Sequence, residues 1–229
     1  MYRVMGREFI AWAGLSDQAG FDPDVLLLDN CEGTFSWVAT GTGGGDTHEF
    51  ALQAALGGRY GLQLKTRVGG AMAGDWLVGT RVFGYPERGL LVARLRMAGY
   101  MLATVGQMGF ELGAADGTRL WQASLVVQPN VPSCSYLNAL GGLTAIAGLG
   151  YSPGELSWTT LELVIDLVTH RYVEAGWSGA RVGLGGVALR DGGVDTSRWA
   201  SLGARVETSG AAAAEVFFDN VYVGELRDR

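Results

Sequence analysis

Lysine is almost missing from this chain. Of 17 basic residues only Lys65 is a lysine, and the others are arginines. The basic residues are outnumbered by 23 acidic ones, for a formal net charge of -6. They form no stripe or cluster, so a nucleic-acid partner is not expected. Histidine is scarce as well: His48 and His170 lie far apart, and neither sits at metal-ligand spacing from a cysteine. The two cysteines, Cys31 and Cys134, are too few for a disulfide framework and read as reduced thiols. No cofactor and no structural metal is expected from this inventory.

Long apolar runs are also lacking. The stretch that comes closest, LNALGGLTAIAGLGY over 137–151, is short and rich in glycine, so no membrane-spanning helix is expected. The opening MYRVMGREFIAWAGLSD carries Arg3, Arg7 and Glu8 where a secretory signal needs an unbroken apolar core. The expectation is synthesis in the cytoplasm without a signal peptide. Motifs of catalysis are missing too. No Gly-x-Ser-x-Gly occurs, and the run Gly41 to Gly45 lacks the Gly-Lys-Ser/Thr ending of a phosphate loop. No Asp-x-Asp-x-Asp-Gly calcium loop is present.

What the chain has instead is glycine, 37 residues against 5 prolines, scattered between apolar segments rather than gathered in a tract. Such spacing marks the turns and bulges of many short strands. The segments between them alternate with period 2. RYGLQLKTRV over 59–68 sets Leu62 and Leu64 against Gln63 and Lys65. GLLVARLRMAGY over 89–100 sets Leu91, Ala93, Leu95 and Met97 against Arg94 and Arg96. RLWQASLVVQ over 119–128 sets Trp121, Ala123, Leu125 and Val127 against Gln122 and Ser124. SWTTLELVIDLVTHRYV over 157–173 sets Leu161, Leu163 and Ile165 against Glu162 and Asp166, and WASLGARVET over 199–208 aligns Ala200, Leu202, Ala204 and Val206. These are half-buried antiparallel strands. DTHEFALQAALGG over 46–58 opens like a helix capping box, but its period-2 surroundings favour a strand.

With an apolar fraction of 48%, 229 residues suffice for one large all-β domain. Residues 1–24 show no clear period and read as an N-terminal arm; residues 25–229 read as the domain. The arm carries Phe9, Ile10 and Trp12. Left in water these would form an apolar patch, so they are candidates for contact with a neighbouring subunit, with packing in cis as the alternative.

The order of segments resembles the concanavalin A-like (laminin-G-like) jelly rolls. The resemblance rests on VLLLDNCEGTFSWVATG at 25–41, LGGRYGLQL at 56–64, Trp158-x-x-Leu161-Glu162-Leu163-x-Ile165-Asp166, and the closing VFFDNVYVG at 216–224. It implies an antiparallel β-sandwich of jelly-roll type, with the closing strand beside the opening one near 25–30. The same fold occurs in lectins, in glycosidases and in bacteriophage virion proteins, so function has to be argued from sites.

The candidate sites are few. Glu162 and Asp166 share a strand face but stand four apart, and a solvated outer face explains them better than the carboxylate pair of a glycosidase. Asp219 reads as a hydrogen-bonded structural residue near a sheet edge. Trp37, Trp121, Trp158 and Trp199 fall in or beside strands and read as core. Trp76 and Trp177 lie in the glycine-bounded segments AGDWLVG and EAGWSGA and are candidates for an exposed contact to protein or glycan, with core packing as the alternative. The expectation drawn together is a non-enzymatic bacteriophage virion structural protein, a capsid-decorating or tail-associated jelly roll. Its partners would be copies of itself and other virion proteins. The alternative is a glycan-binding, lectin-like module or receptor-binding protein.

Overall fold

The computed structural model describes residues 24–31, 36–42, 47–51, 60–67, 69–87, 89–131, 133–150 and 154–226. The arm residues Phe9, Ile10 and Trp12, and all of 1–23, lie outside them. Among the described residues sixteen strands make two antiparallel sheets packed face to face. Among the described residues the helical element is one 3-10 turn, Leu102–Thr104. The all-β sandwich expected from period 2 is what forms, and the ambiguous segment enters it as strand over Thr47–Ala51.

The back sheet holds β1 (Asp24–Asp29), β3 (Thr47–Ala51), β4 (Gly61–Lys65), β6 (Leu90–Tyr100), β11 (Thr159–Asp166), β12 (Arg171–Trp177), β13 (Ala180–Gly183) and β16 (Glu215–Glu225). Its order is β13-β12-β11-β6-β16-β4-β3, with β1 also on β16. The front sheet holds β2 (Val38–Gly41), β5 (Trp76–Phe83), β7 (Val105–Asp116), β8 (Arg119–Gln128), β9 (Ser133–Leu137), β10 (Leu143–Gly150), β14 (Arg190–Val194) and β15 (Arg198–Thr208). Its order is β10-β9-β8-β7-β15-β5-β2, with β14 also on β8.

The last strand is central in its sheet. β16 pairs with β6 on one side; on the other, β4 takes Glu215 to Phe218 and β1 takes Val221 to Glu225. The opening strand therefore does lie beside the closing one, shifted to 221–225. Between the two halves sits a bulge, with a register shift from Asp219 to Tyr222 and Asn220 at φ 54°. The extra residue changes the parity of the strand. Val216 and Phe218 face the core before it, and Val221 and Val223 face the core after it. Straight period 2 would put Val221 and Val223 on the Asp219 side, so the sequence pattern misleads here. Asp219 is also not at a sheet edge: it is 1% exposed, and its carboxylate accepts the Asn220 N–H at 2.7 Å.

The core lies between the inner faces, with Leu62, Leu95, Leu163 and Phe218 from the back sheet meeting Leu77, Phe110, Leu125 and Leu202 from the front. The outer face of the back sheet departs from expectation. Gln63, Arg94, Glu162 and Asp219 alternate with core residues as solvated positions would, yet all are buried. Cross-strand pairing explains how they tolerate burial. Glu162 stands directly opposite Arg94 in the β11–β6 ladder, receives its Nε–H at 2.7 Å, and meets Arg181 at 2.5 Å on its other oxygen. Lys65 stands opposite Glu215 and pairs with it at 2.9 Å. The reading of Glu162 as part of a solvated face is thus corrected. Asp166 ends the strand, where its carboxylate accepts the N–H groups of Val168 and Thr169 in the following turn.

Candidate functional site

The outer face of the front sheet is different. There the ladders set outward-facing residues in rows across neighbouring strands. One row runs Val82, Ser201, Gly113, Gln122, Arg190 from β5 to β14. The next runs Val38, Thr80, Gly203, Glu111, Ser124 from β2 to β8. On the central strands β15 and β7 these rows hold Ser201, Gly203 and Gly113, with Glu111 the one large side chain among them. At Gly203 a Cβ would come within 2.8 Å of Val78 and 2.9 Å of Glu111, so the close approach needs glycine.

The result is a groove of about 480 Å³. Its floor is Gly113, Gln122, Ser124 and Ser201. One wall is the β9–β10 hairpin, with Leu137, Gly141 and Leu143, and beside it Arg190 of β14. The hairpin turn is firmly built: the Asn138 side chain accepts the N–H groups of Leu140 and Gly142, each at 3.0 Å, and donates to Thr144. The other wall is Trp199. Its indole N–H donates to Asp195 at 3.2 Å, and its six-membered ring stands over Gly113. The groove thus offers an aromatic surface, leucine side chains, and amide and hydroxyl groups between them. An amphipathic ring with apolar faces and polar edges fits that mixture.

Charge enters from Arg190, Arg205 and Glu111, so the lining is more cationic than anionic on a chain of net charge -6. Arg205 meets Glu207 at 2.9 Å and Glu111 at 3.7 Å, and its guanidinium lies 5.6 Å from the centre of the Trp76 ring. Burial raises the Glu111 carboxyl above its ordinary pKa, against the pull of Arg205. Its side chain keeps 44% of its accessible surface, so the crowding comes from the groove walls rather than from full enclosure.

Of the two tryptophans singled out by sequence, Trp76 opens β5 on the groove-bearing face, half-buried beneath Arg205. Trp177 ends β12 in the back sheet and packs against the main core. Trp199, read from sequence as core, is the tryptophan in the groove. Its odd-numbered position supplies the signal: on β15 the even positions Ala200, Leu202, Ala204 and Val206 take the core. Trp37 is core, with its indole N–H on Asp29 at 2.9 Å, and Trp121 stacks on His170 at 3.7 Å. Trp158 is half-buried against Ala51 and Phe217. Among the described residues no group of three His, Cys, Asp or Glu is placed to hold a metal ion. Asp191 pairs with Arg119.

No family model matches the chain, and no curated protein does. Solved structures do. A conserved carbohydrate esterase from the Shiga toxin-encoding bacteriophage phi24B superposes with a TM-score of 0.54 at 13% identity, over 90% of this chain and 99% of that one. An endo-beta-1,4-glucuronan lyase from the fungus Trichoderma reesei gives 0.52 at 13%, over 91% and 95%. A structure of carbohydrate-binding modules from the beta-sandwich superfamily gives 0.50 at 10%, over 90% and 63%. At such identities the likeness is one of fold, the jelly-roll β-sandwich, and carries no residue-level chemistry.

Proposed function

We propose that this protein is a non-catalytic glycan-binding β-sandwich of the concanavalin A-like type, which seats a saccharide in the front-sheet groove. The observation that carries this reading is Trp199, fixed by Asp195 over Gly113 and set beside Gln122, Ser124 and Ser201. A pyranose ring would stack its apolar face on the indole and turn its hydroxyls to those polar groups. The solved structures named above include carbohydrate-binding modules and a carbohydrate esterase, which supports the reading by analogy of fold. Glycoside hydrolysis calls for two carboxylates about the bond, and among the described residues the lining holds one, Glu111, which supports binding over a glycosidase role.

The test is isothermal titration against a panel of oligosaccharides, after a glycan-array screen. Binding that is lost in Trp199→Ala, with the fold intact by circular dichroism, is the expected result. Binding equal in wild type and variant would remove the groove from consideration.

The bacteriophage virion role expected from the sequence is a finer reading of the same fold, in which such a groove would serve a receptor-binding component. On it the chain associates with copies of itself. Light scattering that shows a monomer at all concentrations would count against that setting.

A further inference from the structure

Arg190 has no role in holding the fold together that the groove's other charges share. Arg205 is engaged by Glu207 and Glu111, and Arg119 by Asp191. Among the described residues Arg190 has no acidic partner, yet it is half-buried and lines the groove. Its position is set from both sides. The backbone pairs with Gln122 across the β14–β8 ladder. The guanidinium lies against the β9–β10 turn, where a Cβ on Gly141 would stand 3.2 Å from Cζ and 3.3 Å from Nε. Gly141 has φ 88°, a conformation that also favours glycine, so the turn leaves the arginine its place. A cation held in a recess without a counter-charge is an expensive arrangement unless something supplies the charge.

We propose that the groove takes an anionic glycan, and that Arg190 receives a sugar carboxylate. The planar guanidinium fork matches a carboxylate in bidentate geometry, which a neutral hydroxyl cannot reproduce. Gln122, next to Arg190 in the same row, is placed to hydrogen-bond the neighbouring ring hydroxyls. The lining's balance of two arginines to one glutamate, on a chain of net charge -6, fits the same ligand. This inference rests on the glycan reading of the groove and narrows it to a ligand class.

The experiment uses the full chain and pairs of hexasaccharides that differ only at C6. Oligoglucuronate and oligogalacturonate are each titrated beside their carboxyl-reduced counterparts at fixed low salt. In at least one pair the carboxylated form should bind about tenfold to a hundredfold tighter, the range of a charge-assisted bidentate contact. Arg190→Gln should erase that ratio, and Arg190→Lys should restore part of it. Equal affinity for both members of each pair, lost in Trp199→Ala, would overturn the carboxylate and leave the glycan groove standing. A ratio unchanged in Arg190→Gln would place the carboxylate elsewhere and likewise overturn the inference. No binding of any hexamer, charged or reduced, would sink both readings.

Discussion

Trp199 stands over Gly113, with Cζ3 and Cη2 of its ring 3.3 and 3.4 Å from the point where a Cβ would project. The missing side chain on β7 is what lets the indole of β15 lie against the sheet and face the groove. Gly113→Val should therefore push the ring out of place, since its Cβ would also meet the Ser201 hydroxyl at 3.1 Å. The expected outcome is glycan affinity weakened by about tenfold or more, the scale of one aromatic stacking contact, with only a small change in melting temperature. Trp199→Ala should act alike. Trp177→Ala, on the core side of the other sheet, should lower the melting temperature and leave affinity alone. Titration calorimetry and thermal melts on the three variants separate the two kinds of tryptophan.

Glu162 should behave as a structural residue. It lies between Arg94 and Arg181 with 8% of its side chain exposed. Glu162→Ala would take the facing carboxylate from the buried Arg94 guanidinium, while the exposed Arg181 keeps Glu174 at 3.1 Å, and breaking such a buried pair costs about 3–5 kcal/mol. Urea titration should show the midpoint falling by a corresponding amount. A midpoint within error of wild type would mean that water already serves those arginines. No polysaccharide turnover is expected from wild type or variant.

The alternation of side chains made most of the sandwich legible in the sequence. The strands at 90–100, 119–128, 159–166 and 198–208 all appear with the expected face toward the core. Legibility failed where period 2 carries two meanings. Arg94 and Glu162 look solvated because they alternate with leucines, but they neutralise each other across a ladder, a partnership between residues far apart in sequence. Asp219 and Asn220 hide a bulge, which no periodicity reports until the partner strand is known. The groove was half legible. Gln122 and Ser124 were recognised as outward-facing, but Gly113, Gly203 and Arg190 have no pattern of their own and gain meaning only from the rows in which the ladders place them. Trp199 reads as core because it falls beside a strand, yet on β15 the even positions take the core and its parity points outward.

The final strand carries another prediction. Phe218 is fully buried on β16, between β4 and β6. Phe218→Ala should destabilise by about 3–5 kcal/mol, a large share of an ordinary domain's stability. Removing 214–229 takes away a central strand rather than an edge, with its partners on both sides, and should abolish the cooperative transition. At the bulge, Asn220 holds φ 54°. Asn220→Gly should be close to neutral, whereas Asn220→Val should cost upwards of about 1–2 kcal/mol, because a branched side chain resists that conformation. Denaturant midpoints for the pair check the bulge directly; equal midpoints would show that the strand can run straight.

Glu111 makes the sign of a pH effect testable. Burial in the groove raises its folded pKa above the ordinary carboxylate value. The folded state therefore binds this proton more readily than the unfolded state. The associated stability is fully present below the unfolded pKa and is lost as pH rises through the folded one. Other carboxylates act in the opposite sense. Asp116, for example, is held low by hydrogen bonds from the Thr118 hydroxyl and the Arg119 N–H, and contributes stability that is lost on acidification. The whole-protein profile mixes these terms, so the informative quantity is the difference between wild type and Glu111→Gln. That substitution removes the titration and leaves Arg205 its contact with Glu207 at 2.9 Å. Relative to the variant, wild type should lose stability as pH rises from acid through the raised pKa of Glu111, and the difference should level off above it. Thermal melts from pH 4 to pH 8 on both proteins measure this. A flat difference curve would mean that the attraction of Arg205 cancels the burial of the carboxyl, and one sloping the other way that it outweighs it.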